Sequence, residues 1–287
     1  MMALFRAEWH KITGNRILMG CLIWIWPFLA CGMVTLIYLA FVARGSGSQA
    51  AYVDSPVRWT DAALGPWQAL NSVLGRLLLM GFVATVFAGE YQHGTWKTVL
   101  PGNTRIKMLL AKYVVMAIVI LIAFAVMMLV LVISLGAMNL LLGAGYPPAL
   151  SAAVLADFTG NLLANVALGL ASFLVVANIA ILISIWTRSI LFGVLVSTFF
   201  ALVEFLGIPP ILSLIADIFQ WDWVNNLLVL VPAFHADNIA AWINTGEGAV
   251  FISEELEVAL VPSIFALALW LLGLLAATVV IFRRQDL

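Results

Sequence analysis

The sequence predicts an all-α integral membrane protein that crosses a bilayer about six times, with both ends on the cytoplasmic side. Three observations predict it. The composition is 64% hydrophobic with 9% charged residues and a mean hydropathy of +1.13, against roughly 45–50% and ~25% for soluble domains. Six long apolar runs recur along the chain, and the basic residues fall almost entirely on one side of them. A soluble fold of 287 residues needs far more charge to cover its surface. The net charge of -1 shows no basic excess of the kind that binds nucleic acid.

A span needs about 20 mostly apolar helical residues, because lipid cannot satisfy an open backbone. Residues 17–43, 69–89, 109–142, 160–187, 189–212 and 258–282 meet that requirement. The first run carries no charge from Ile17 to Ala43 and exceeds the core of a cleaved leader, so it reads as a retained span. Before it, residues 1–16 place Phe5, Trp9 and Ile12 on one helical face and Arg6, His10 and Lys11 on the other, the pattern of an interfacial helix. Residues 44–68 read as a polar loop, and 143–159 as a Gly/Pro turn region. The third and fourth runs are long enough to tilt or project. Pro209-Pro210 is expected to end the fifth span. Residues 213–257 alternate apolar turns with Asp, Asn and Trp and read as external or re-entrant short helices anchored by Trp221, Trp223 and Trp242. Further spans in that region are the main alternative topology.

With the N-terminus inside, Arg6, Lys11, Arg16, Lys97, Arg105, Lys107, Lys112, Arg188, Arg283 and Arg284 are all cytoplasmic, ten of thirteen basic residues. Asp54, Asp61, Asp157, Asp217, Asp222, Asp237, Glu247, Glu254, Glu255 and Glu257 fall outside. The Lys/Arg asymmetry sets the orientation.

Cys21 and Cys31 are about 15 Å apart along one helix, too far for a disulfide. His10, His93 and His235 lie in separate segments, and no metal-ligand spacing appears. The sequence holds no G-x-x-x-x-G-K-[ST], H-E-x-x-H or G-x-S-x-G, so neither a phosphate cradle nor a hydrolytic centre is expected in this chain.

Between the second and third runs lies FAGEYQHGTWKTVLPGNTRIKMLLAKY, residues 87–113. It reads as a short cytoplasmic element over 90–108. Glu90 ends a membrane helix, Gly94-Thr95 breaks it, Pro101-Gly102 turns, and Asn103 or Thr104 caps the next helix. The positive-inside rule alone explains the charges but not this order of residues. The stretch resembles the motif of type-2 ABC transporter permeases, here as Glu90, Gly94-Thr95, Pro101, Arg105 and Lys112. The Gly-Thr-Trp-Lys wording is similar to permeases of peptide-antibiotic export and lantibiotic immunity.

That resemblance implies a cytoplasmic element that docks on a separate ATPase subunit, with Trp96 and Lys97 facing the partner and Arg105 or Lys112 pairing with Glu90. It implies ATP and Mg on the partner and no cofactor in this chain. It also implies a second permease copy or paralogue, a bacterial plasma membrane, and an amphipathic cargo such as a peptide antibiotic, a lipid or a hydrophobic drug. A secondary transporter or channel without an ATPase is the alternative, and a membrane enzyme or assembly factor is the third class.

Inside the membrane, Asn161, Asn165, Gly169 and Ser172 share one face of the fourth run, and Gly193, Ser197 and Glu204 share one face of the fifth. Such residues either glue helices together or line a path. Glu204 is the sharper candidate, because an intramembrane carboxylate is a functional position by default. It can reach water near the outer end or pair with Arg76.

Overall fold

The computed structural model describes residues 2–70, 72–92, 104–249 and 258–284, and among these the secondary structure is helical throughout. The amphipathic N-terminal segment is α1 (Met2–Gly14), burying Ile12 and leaving Arg6, His10 and Lys11 exposed. Asn15 accepts from the Leu18 backbone and starts α2 (Arg16–Leu22), which continues after a short turn as α3 (Ile25–Arg44). Then come α4 (Ser46–Asp54), α5 (Trp59–Leu70) and α6 (Val73–Gln92). Two long helices follow, α7 (Arg105–Leu142) and α8 (Ala152–Thr187). Next is α9 (Ile190–Leu202), which passes through a π-helical turn, Val203–Gly207, into α10 (Ile208–Phe219). A 3-10 stretch, Asp222–Leu230, leads to α11 (Pro232–Thr245), and α12 (Leu260–Arg284) closes the described chain.

Four helical runs are each long and apolar enough to cross a bilayer: Arg16–Arg44, α7, α8 and α12. The count rises to six if each of two bent pairs is one span. The multi-pass, all-α class expected from composition is therefore what the chain forms. One bent pair is α5 with α6, at 56°. Here the expected polar loop over 44–68 is corrected: most of it is helix, and α5 descends along α7 and α8 before the chain turns into α6. Composition misled because Asp61, Gln68 and Pro66 interrupt the apolar run, although Ala62, Ala63, Trp67 and Leu70 on one face are buried. The other pair is the 3-10 stretch with α11, bent by 87°.

Three boundaries also move. The turn region ends earlier than expected, because Ser151 accepts from the Val154 backbone and starts α8 at Ala152 rather than at 160. The third run begins at Arg105, four residues before the apolar stretch. Pro209-Pro210 does not stop the fifth run. These prolines occupy the first turn of α10, where a missing N–H is harmless, and the π turn absorbs the change of register.

The basic end of the bundle carries Lys11, Arg105, Lys107, Arg188, Arg283 and Arg284, and the opposite end carries Asp54, Asp61, Asp157 and Asp217. The core between them is built from Leu79, Phe82, Phe87, Phe124, Phe173 and their neighbours, all essentially buried. Close approach of α9 to α6 and α8 depends on Gly193, where an added Cβ would lie 3.1 Å from the Ser184 Cβ and 3.2 Å from the Ala84 Cβ. Gly193→Ala is expected to lower stability by about 1–3 kcal/mol through overpacking, read as a drop in the unfolding midpoint of the detergent-solubilised chain. An unchanged midpoint would show that the three helices are not held at this distance.

Candidate functional site

Two clusters of buried charge stand out, one near each end of the bundle. At the basic end Glu90 closes α6, and Lys112 lies two turns into α7. Both are almost fully buried, at 2% and 0% exposure. Lys112 Nζ donates to Glu90 Oε1 at 2.5 Å and to Glu8 Oε2 at 2.8 Å, and Lys11 Nζ also donates to Glu90 Oε1. Among the described residues, two carboxylates and two ammonium groups thus balance within one cluster that ties α1, α6 and α7 together. The arrangement satisfies the condition on which buried ions are tolerated, with each charge paired and hydrogen-bonded.

Of the two expected partners of Glu90, Lys112 takes the role. Arg105 sends its guanidinium to the carbonyls of Phe282 and Arg283, at 3.1 and 3.0 Å, at the end of α12. A cation there meets the negative end of the helix dipole and accepting carbonyls without a partner in their own helix. Glu8 was missed in the sequence. It falls midway between Leu4 and Ile12 at intervals of four, a carboxylate set in an apolar stripe, and that position is the signal that predicts burial. Thr104 occupies the N-cap of α7 but makes no side-chain cap hydrogen bond. Gly94, Thr95, Trp96, Lys97 and Pro101 lie outside the described residues.

Just above the charge cluster, Tyr113 donates to Asn178 Oδ1 and packs edge-on against Phe87. This bond joins α7 to α8.

The second cluster sits at the break between α5 and α6. Arg76 Nη1 donates to Glu204 Oε2 at 3.0 Å, and Nη2 donates to Ser172 Oγ. Glu204 Oε1 accepts from the Ala233 backbone at 2.6 Å. Arg76 and Glu204 are 1% and 2% exposed, so the alternative in which Glu204 reaches water is corrected: it faces a guanidinium inside the bundle. Helix length explains the meeting. Arg76 lies fourteen residues before Glu90, Ser172 fifteen before Thr187 and Glu204 fourteen after Ile190. Each is therefore about 21–22 Å along its helix from the basic end.

Glu204 lies in the π turn, a common way of presenting a side chain off the regular register. Its second oxygen caps α11, whose own N-cap, Val231, has no side chain able to do so. Four elements therefore depend on one ion pair.

The remaining candidates divide. Ser172 belongs to this cluster. Ser197 is fully buried and donates to the Gly193 carbonyl of its own helix, so it is a packing position. Asn165 and Asn161 line a pair of cavities between α5, α8 and α11. Gly169 packs on the Trp67 carbonyl, where an added Cβ would sit 3.0 Å away. His235 is buried against the Ser263 hydroxyl and the Val229 carbonyl, and Asn238 donates to the Val258 carbonyl and Ser263, so both fasten α11 to the start of α12. At the far end, Phe219, Trp221 and Trp223 stack in an exposed row.

The family described as ABC-2 family transporter proteins matches residues 4–204, a stretch that holds all of the first cluster and Arg76, Ser172 and Glu204 of the second. No curated protein matches the chain.

Proposed function

The chain belongs to the ABC-2 family of transporter proteins, and on that premise we propose that it is the permease subunit of an ATP-driven exporter, coupled to a separate ATPase through its 90–108 connection. A permease of an ABC transporter works with an ATP-hydrolysing partner, and this sequence has no P-loop motif of its own. The observation that carries the coupling role is the charge cluster at the mouth of that connection. The helix entering it ends on Glu90 and the helix leaving it holds Lys112 two turns on, with α1 drawn into the same cluster through Glu8 and Lys11. A push on the connection would reach the two spans and the interfacial helix as one unit, since the pairs do not tolerate separation in a dry setting. Arg105 extends the same logic to α12.

In this reading the basic end is cytoplasmic, the membrane is a bacterial plasma membrane, and two permease chains enclose the path. Trp96, Lys97, Gly94, Thr95 and Pro101 would form the docking surface for the ATPase, which would hold ATP and Mg. The cargo is an amphipathic molecule, with peptide antibiotics, lipids and hydrophobic drugs as its classes. A secondary transporter places ionisable groups at mid-membrane for ion coupling, and here Arg76 and Glu204, paired with each other, are the groups at that depth that a test of such coupling would address.

Purification of the tagged chain from its native membrane is expected to bring down a P-loop ATPase. Glu90→Gln should insert and co-purify normally, yet lose ATP-driven transport in reconstituted vesicles while basal ATP hydrolysis persists. Full transport by that variant, or the absence of any ATPase from the purified material, would refute the coupling role.

A further inference from the structure

We propose that the groove between α1 and α7 is a docking site for one anionic phospholipid, its phosphate on Arg6 and His10 and its acyl chain against Phe5, Trp9 and Ile118. The groove has a volume of about 890 Å³, and these five residues line it. Lys112, which meets Glu8, marks where α1 touches α7. Ile118 stands six residues further along α7, about 9 Å farther from the basic end. The groove therefore lies on the bilayer side of α1. A second cavity, of about 240 Å³, also borders Trp9 and is walled by Ile23, Val119 and Ala123, so apolar space extends on along α7.

Hydrocarbon has open access to this space. Leu110, Val114 and Ile122 are exposed on α7, at intervals of four that also include Ile118. Lipid chains that bathe this stripe reach the groove without crossing a polar rim.

The polar side of the groove has one sign. Arg6 and His10 are one turn apart on α1 and both are exposed. Neither makes a hydrogen bond or an ion pair among the described residues. Trp9 supplies the remaining polar side chain among the described lining residues, and it too offers an N–H. No carboxylate, hydroxyl or carboxamide stands among them. The carboxylates at α1 are engaged elsewhere, Glu8 with Lys112 and Glu90 with Lys112 and Lys11. A guanidinium takes a phosphate through two parallel N–H bonds, and an imidazole one turn away adds a third donor. A phospholipid brings such an anion to the height of an interfacial helix and hydrocarbon to its membrane side. A zwitterionic lipid carries its own ammonium next to the phosphate and gains less.

Occupancy bears on coupling. A lipid held by Arg6 and His10 keeps α1 against α7, where Glu8 meets Lys112. That consequence, and the inner leaflet as the source of the lipid, rest on the export reading above, whereas the chemistry of the groove rests on its own residues.

The full-length chain in dodecyl maltoside, without ATPase, is titrated with dioleoyl phosphatidylglycerol or dioleoyl phosphatidylcholine, and bound lipid is counted by native mass spectrometry. The phosphatidylglycerol should occupy its first site about tenfold more tightly. Arg6→Gln should weaken its binding about tenfold and His10→Gln about threefold. Ala7→Phe fills the groove without altering charge and should abolish the preference. Arg6 and Ala7 are exposed, so neither substitution touches the core. Lys107→Gln removes an exposed charge of the basic end outside the groove and should change nothing. Equal binding of the two lipids, wild-type binding by Arg6→Gln or Ala7→Phe, or an equal loss in Lys107→Gln overturns the proposal. So does displacement of the lipid by glycerol 3-phosphate at the lipid's own concentration, which would make the groove a site for soluble phosphates. The lipid preference in a chain that recruits no ATPase would sink the export reading alone. An ATPase partner without the lipid preference would sink the lipid site alone.

Discussion

Replacing Glu204 by Ala is expected to lower the stability of the chain by about 3–5 kcal/mol, the range for breaking a buried ion pair on one side only. The loss has two parts. Arg76 stays at 1% exposure with its carboxylate partner gone, and the Ala233 N–H at the head of α11 loses its acceptor. Glu204→Gln separates them, since an amide oxygen can still accept from Ala233 while the charge is removed. It should fall between the wild type and Glu204→Ala. Adding Arg76→Met to Glu204→Ala should recover part of the loss, because the guanidinium stranded by the loss of Glu204 is gone. The measurement is unfolding of the purified chain in mild detergent, followed by tryptophan fluorescence. If Glu204→Ala unfolds within about 0.5 kcal/mol of wild type, the level of an ordinary surface change, the pair does not hold these elements together.

Lys112→Met should have an effect of similar size at the other end, with a different readout. Lys112 is the only group bonded to both carboxylates of the basic-end cluster among the contacts described, at 2.8 Å to Glu8 and 2.5 Å to Glu90. Without it, Lys11 is the cation left in this cluster among the described contacts, and its side chain is 46% exposed and partly screened by water. The least costly response is for α1 to leave, taking Glu8 to solvent, since a lone buried carboxylate carries a penalty of several kcal/mol. Trypsin should then cut at Arg6 and Lys11 much faster than in wild type, and ATP-driven transport should fall with it. Lys112→Arg should restore protection in part, keeping the charge but not the compact ammonium geometry. Unaltered trypsin resistance in Lys112→Met would show that α1 is held by its apolar face, through Ile12 and its neighbours, rather than by this cluster.

Much of the candidate site is legible in the chain before folding, though unevenly. Glu90 announces itself as a carboxylate at the end of an apolar run, followed by breakers and then cations. Lys112 is visible as a cation inside a stretch otherwise fit for lipid. The Arg76–Glu204 pair is foreseeable as a possibility, because two ionisable residues within spans have few other partners. Glu8 is the harder case: in a segment that also carries Arg6, His10 and Lys11, one more charge draws no notice until its face is considered. The contact of Arg105 with α12 is hidden for a related reason. Spacing along the chain places it near Glu90, whereas the end of α12, distant in sequence, lies within its reach.

Composition, run length and the sidedness of Lys and Arg determined the class of this protein unaided, because transfer into hydrocarbon is an additive property of residues and requires no knowledge of neighbours. Tertiary structure alone decided how the irregular parts are used. The bend between α5 and α6, the π turn at 203–207 and the bend before Pro232 each leave backbone or charge that one segment cannot satisfy by itself. Their partners lie on other helices, as Ala233 does for Glu204 and Ser172 for Arg76. Such pairings depend on how helices are arranged around one another, and that arrangement is absent from any local pattern of residues.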